Sequence, residues 1–459
     1  IKSVGKGAFK GCTGFDKLII ENGTYLTQIE VSVFEKCTGF IGELIIPSSI
    51  KSISSSAFAY CSGFNGSLII PREVEYIGSS AFAYCSGFNG LLDISNSENG
   101  NRIIGESAFY KCSGFTGKLK IDDNICSIGA ESFAYCSGFN YLSCYSKNIT
   151  IIPNRAFYYC TGFSSKLELS MLYKSIGTEA FAGCSGFTGT LTLLDTYYGD
   201  GCFAGCSGIT SVSFTRFDVT YIQAYMFKDC TGLTSIYFNL DTVVGSHAFE
   251  GCSGITSLSI ERARSISSYS FAGCSGLTAL GSLKNFYSIP QYCFCNCTGI
   301  EGTLNLADTI EYVKEGAFCN CNKLSNINFG PKIKSIEKMA FYNCTGLKGS
   351  LVINVSITSI GDYAFYNNNF SEIIYISPLP PKCGEFVFSE DSKVVVPSSY
   401  ISNMLCNIKL KDEEKPIVVP TPKPVEESFE TLDYDSEKDD ATVLAQKLSQ
   451  TFEKLRNDH

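Results

Sequence analysis

One phrase governs what this chain can fold into: Ala-Phe-x-x-Cys-Ser/Thr-Gly-Phe, repeated along most of its length. Its cysteines are Cys12, Cys37, Cys61, Cys85, Cys112, Cys136, Cys160, Cys184, Cys206, Cys230, Cys252, Cys274, Cys297, Cys321 and Cys344, spaced by 22 to 27 residues, most often 24. A sixteenth unit carries Asn368 at that place, and every unit has a Phe three residues earlier, from Phe9 to Phe365. A unit this short cannot bury its apolar side alone. Stacked coil on coil, the units share one continuous core, which is the logic of a solenoid.

Each unit reads as one coil. An alternating segment follows the Gly-Phe, as in Leu191-Thr-Leu193, and alternation marks a half-buried strand. A turn comes next, often with a proline such as Pro47 or Pro71, then an apolar pair ending in Ile-Gly, as at Ile77-Gly78. In Ala-Phe-x-x-Cys the spacing puts all three named side chains on one side of a single helical turn, and the Gly after the cysteine is expected to close that turn in a left-handed conformation. The expected class is therefore an α/β repeat solenoid of about sixteen coils, each with a short parallel strand and a helical turn. Local distortion is expected where Tyr198-Gly199 replaces Ile-Gly and around Gly281 to Ile289.

The cores Ile-Gly-x-x-Ala-Phe-x-x-Cys-Ser-Gly-Phe, as from Ile176 to Phe187, resemble the BspA-like, or treponemal-type, leucine-rich repeat family. The closing Val394-Val-Val-Pro-Ser-Ser-Tyr400 is similar to that family's terminal strand. The resemblance spans roughly residues 1 to 410 and implies a leucine-rich-repeat-like right-handed superhelix. It also implies a cell-surface or secreted molecule engaged in adhesion to host cells and matrix.

Composition narrows the function classes. Residues 411–459 hold seven basic and thirteen acidic side chains, so the remaining 410 carry only −3 of the net −9. A nearly neutral body with no basic stripe argues against nucleic-acid binding. No apolar run is long enough to span a bilayer. The chain opens at Ile1 inside a repeat and is expected to be a fragment or processed form. The boundaries read as repeats over 1–376, a C-terminal cap over 377–410, a proline-rich and acidic linker over 411–440, and a tail over 441–459. In the tail Leu444, Leu448, Phe452 and Leu455 fall at helical spacing, which suits either a marginal exposed amphipathic helix or one that docks on a partner.

The repeat cysteines read as a buried column of small hydrophobes, one per coil. Cys295 and Cys319 differ, since each stands two residues before its column cysteine in consecutive units. They should face outward side by side, as a disulfide or as two free thiols. A zinc site using Cys293, Cys295, Cys297, Cys319 and Cys321 fits on ligand type alone, but Cys293 and the column members have core roles, so no metal or other cofactor is assigned. With His247 and His459 the only histidines, no nucleophile–base pair can be placed, and an enzyme is not expected. Seven Asn-x-Ser/Thr sequons occur, at Asn22, Asn65, Asn148, Asn296, Asn343, Asn354 and Asn369, and they matter only in a secreted chain.

Binding is expected on the exposed strand face. The middle outward residue of each strand builds a column that includes Ile19, Ile45, Ile69, Asp93, Lys120, Glu168 and Tyr237. Three adjacent isoleucines facing water are costly unless something covers them, so they form a candidate contact patch; strand propensity or additional coils offer the plainer explanation. Two function classes follow. One is an extracellular recognition or adhesion protein that binds protein or glycoconjugate ligands with avidity along an extended surface. The other is an intracellular interaction scaffold, which the many unpaired-looking thiols would suit.

Overall fold

A computed structural model describes residues 2–21, 25–97, 100–214, 220–238, 240–389 and 392–411. The linker and tail expected beyond Lys411, with their amphipathic helix, lie outside the described residues. Each coil has three sides. Strands following the Gly-Phe form a first parallel ribbon (ribbon A), as where Leu68–Ile69 pairs with Leu92–Asp93. The segment ending in Ile-Gly forms a second (ribbon B), in which Gln28–Ile29, Ser52–Ile53, Tyr76–Ile77, Arg102–Ile104 and Ile125–Ile128 pair in chain order. The third side is the Ala-Phe-x-x-Cys edge.

That edge is not helical, and no described residue lies in a helix. The α/β class and its helical turns are thereby corrected to an all-β parallel solenoid. The reason lies in where the amides go. In Gly78–Cys85, Ala81, Ala83 and Cys85 donate three residues back, to Gly78, Ser80 and Phe82, at 3.1 Å each. The amides between them cross to the next coil: Ser80 to Glu106 at 2.8 Å, Phe82 to Ala108 at 2.8 Å and Tyr84 to Tyr110 at 2.7 Å. A helix would send each N–H to its own carbonyl four residues back and leave none for the neighbour. Alternation keeps the buried backbone paired while joining coil to coil, and it requires left-handed residues at Ser80 (φ 57°) and Tyr84 (φ 62°).

The glycine after the cysteine has a different role from the one expected. Gly87 is not left-handed; a Cβ there would lie 2.1 Å from the Ser62 carbonyl oxygen and 2.5 Å from that of Phe64. Only glycine permits the coils to approach so closely.

The interior is built of columns. Phe34, Phe58, Phe82, Phe109 and Phe133 stack with ring centroids 5.3–5.4 Å apart, all buried. Beside them the cysteines are more than small hydrophobes, because from Cys37 to Cys344 each column thiol donates to the carbonyl of the Phe one coil earlier. Cys85 bonds to Phe58 and Cys136 to Phe109, each at 3.0 Å. Asn368 makes the same bond to Phe341 through Nδ2 at 3.0 Å. One charge is enclosed: the Arg102 guanidinium is fully buried and donates to the carbonyls of Val74 (2.9 Å), Ile94 (2.5 Å) and Pro71 (2.6 Å).

Tyr197–Tyr198 pairs in register with Ser175–Ile176, so that unit keeps its place in ribbon B. Its buried Tyr198 hydroxyl accepts a bond from the Leu194 amide at 2.8 Å. After the sixteenth coil the chain continues both ribbons. Lys382–Cys383 pairs with Ser359–Ile360, Val394–Val395 pairs with Ile373–Ile374, and Phe388 stacks on Phe365 at 5.6 Å. A small antiparallel pair, Met404–Leu405 with Ile408–Lys409, follows, and Cys383 is disulfide-bonded to Cys406.

Candidate functional site

The outward column of ribbon A is the surface where the strands place unlike side chains at regular intervals. Pairing registers set its members side by side: Ile69 opposite Asp93, Lys120 opposite Ser143, Tyr237 opposite Ser259 and Asn305 opposite Asn328. Ile19, Ile45 and Ile69 are 67%, 67% and 62% exposed, in three consecutive coils. Leu91, two residues before Asp93 and so on the same face, is exposed as well. Sequence reasoning passed over it, although the same alternation could have found it.

The charged members behave differently from the apolar ones. Lys120 is ion-paired with Asp122 at 2.8 Å, and that hydrogen bond holds its ammonium above its usual range. Asp93 accepts bonds from the Ser95 amide at 3.1 Å and hydroxyl at 3.0 Å. Glu168 accepts the Tyr145 hydroxyl, which pushes that phenol up to about 12. These three are engaged within the chain. The three isoleucines and Tyr237, 71% exposed, have no cover. The column thus gathers Ile19, Ile45, Ile69 and Asp93 at one end, while Lys120, Glu168 and Tyr237 stand apart along it.

Cys295 and Cys319 lie side by side in consecutive coils, disulfide-bonded with Cα atoms 4.6 Å apart. They are covered, at 8% and 3% exposure, and do not project outward. Burial pushes the column thiols up: Cys61, Cys160 and Cys230 each rise from an ordinary 9.0 to about 12, which keeps them protonated and unreactive. Among the described residues no group of three or more His, Cys, Asp or Glu side chains is placed to hold a metal ion.

His247 sits at a left-handed edge position, its ring stacked between Tyr225 and Tyr269 at 4.6 Å on each side. Its Nδ1 is 2.6 Å from a Glu250 carboxylate oxygen that also takes the Lys228 ammonium at 2.9 Å. Tyr292 extends this ladder beyond Tyr269 at 4.8 Å. The sequence does show these residues, each five places before a column cysteine, but only the non-helical edge brings them into one stack.

No helix among the described residues is long and apolar enough to cross a membrane. Among curated proteins no match is found. Among solved structures, a leucine-rich repeat protein from Bacteroides ovatus is 23% identical over 86% of each chain, with a TM-score of 0.47. A leucine-rich cell surface protein from Faecalibacterium prausnitzii is 17% identical over 74% of this chain and 84% of its own, with a TM-score of 0.34. The model of the BspA type leucine rich repeat region matches residues 1–91, 88–190, 150–278 and 264–395. The chain belongs to the BspA-type leucine-rich repeat family.

Proposed function

We propose that this chain is a non-enzymatic recognition protein, displayed at a cell surface or secreted, that adheres to host or matrix protein or glycan ligands through ribbon A. The observation that carries the reading is the run of Ile19, Ile45 and Ile69, exposed in three successive coils beside polar column members already engaged within the chain. Uncovered apolar area of this kind marks an interaction surface. The pairing of Cys295 with Cys319 and of Cys383 with Cys406 supports placement in an oxidising compartment. An extended array of shallow contacts gains strength by avidity rather than by any single contact.

The test is the triple variant Ile19→Thr, Ile45→Thr, Ile69→Thr, scored for adhesion of particles bearing the chain to immobilised matrix protein and to host-cell monolayers. Threonine keeps the strand propensity, and the side chains are exposed, so the melting temperature should stay within a few degrees. Adhesion should fall at least tenfold; adhesion equal to that of the parent chain would dismiss the patch.

A further inference from the structure

The ribbon A ladder ends at several places, and between the coils of Cys274 and Cys297 the bond from the Glu301 amide to the Thr278 carbonyl, at 3.1 Å, is followed by a gap. Strand Ala279–Leu280 pairs with Ser257–Leu258 behind it, and strand Gly302–Asn305 pairs with Leu324–Asn328 ahead of it, but no ladder joins the two. Gly281 supplies the cause. Its amide donates to the Leu258 carbonyl at 2.9 Å, and a Cβ at this place would stand 2.6 Å from that same oxygen. Glycine lets the strand settle onto the coil behind it, away from the coil ahead. A cleft of about 740 Å³ opens there, lined by Leu280, Ser282, Lys284, Glu301, Thr303 and Asp308 among others.

The two edges facing this cleft are main chain. In a parallel ladder, successive residues turn their amides and carbonyls alternately to the two neighbouring strands. Inward residues of ribbon A bond forward, as Leu68 does to Leu91 and Ile70 to Asp93. By that rule Leu280 and Ser282 present their polar groups to the cleft from one side, and Thr303 and Asn305 from the other, with no ladder partner between them. Unpaired strand edges recruit another extended chain. Glu301 and Asp308 are exposed at the margin and meet no opposite charge among the described residues, and neither does Lys284, so the cleft carries one net negative charge.

We propose that this cleft binds an extended peptide segment bearing a lysine or arginine, held through its main chain by Thr303 and Asn305 and through its basic side chain by Glu301 and Asp308. The inference rests on ribbon A being the recognition face and adds to it a second contact with a partner of defined chemistry.

The probe is a phage-displayed library of random heptapeptides, selected on the full chain and counter-screened on a Thr303→Pro variant. Proline removes the N–H aimed into the cleft and leaves the bonds from Gly302–Asn305 to Leu324–Asn328 in place. Selected peptides should carry Lys or Arg flanked by alternating apolar residues. Their synthetic forms should bind Thr303→Pro at least tenfold more weakly than the parent chain. The paired surface change Glu301→Lys, Asp308→Lys, which leaves the backbone untouched, should cause a similar loss at low salt and keeps the test informative if the proline variant misfolds. Failure of the library to enrich on the parent chain, or equal binding to the parent and the charge-reversed chain, overturns the inference. Adhesion lost in the isoleucine variant while the cleft selects nothing would remove the cleft alone; peptide capture with adhesion unchanged in that variant would remove the patch alone.

Discussion

Asn368 stands where fifteen other coils place a cysteine, and replacing it with cysteine should stabilise the end of the solenoid. The residue is 8% exposed. Its Nδ2 donates to the Phe341 carbonyl at 3.0 Å, the bond that a thiol makes in the coils of Cys37 to Cys344, while its Oδ1 is buried with no partner among the described residues. A buried acceptor left without a donor costs about 1–3 kcal/mol. A thiol of similar volume keeps a donor on Phe341 and removes the orphan oxygen, though S–H is a weaker donor than N–H. The net gain should be about 1 kcal/mol, or about fivefold in a local opening equilibrium. The gain belongs to the last coils, because repeat arrays open from their ends and by neighbouring units. Hydrogen exchange followed by mass spectrometry over 341–366 reads it directly, with peptides from the coils of Cys85 and Cys112 as internal reference. Unchanged or weakened protection in Asn368→Cys would refute the view that the buried Oδ1 costs the last coil stability.

Other outcomes follow from the same architecture. Arg102→Met leaves the carbonyls of Val74, Ile94 and Pro71 without their buried donor and should cost about 3 kcal/mol or more, seen as early loss of exchange protection around coils three to five; full protection there would contradict it. The thiols' contribution to stability should be level below about pH 9 and fall as pH rises towards 12. Over that window the unfolded chain's thiols ionise from an ordinary 9.0, while burial holds Cys61, Cys160 and Cys230 protonated to about 12. Melts that stay flat between pH 8 and 11 would exclude this linkage. Cys295 and Cys319, disulfide-bonded across consecutive coils, should both escape alkylation before reduction, and Cys295→Ser with Cys319→Ser should cost about 3 kcal/mol from the loop that the bond closes; alkylation of both in unreduced protein would contradict it.

The repeated phrase made the coil count and the ribbon A register readable, because a two-residue alternation and a fixed spacing tie each side chain to one face. The inward columns of Phe and Cys were legible for the same reason. The edge was not. Ala, Phe and Cys at their spacing satisfy a helical face, and nothing local in Ser79-Ser80-Ala81 announces that Ser80 is left-handed. That conformation is adopted because the amide of Ser80 reaches Glu106, a partner supplied by the next coil. Ribbon B was hidden too, since two-residue strands such as Tyr76–Ile77 are too short to show a period of their own. The exposed isoleucines could be found by alternation alone. The break at Gly281 was visible as an irregular unit, but the cleft depends on which neighbour the strand leans towards, and a single unit does not encode that.

The alternating amides of the coil edge bear on how such a chain can change in length. Every period offers the same row of acceptors to the one before it and the same row of donors to the one after it, so a whole period can be duplicated or deleted without leaving a mismatched seam. Residues 55–66 and 79–90 carry the identical stretch Ser-Ser-Ala-Phe-Ala-Tyr-Cys-Ser-Gly-Phe-Asn-Gly, as unequal recombination between neighbouring cassettes would leave it. The distance between the isoleucine end and the Gly281 break is in this sense an adjustable ruler, graduated in single coils.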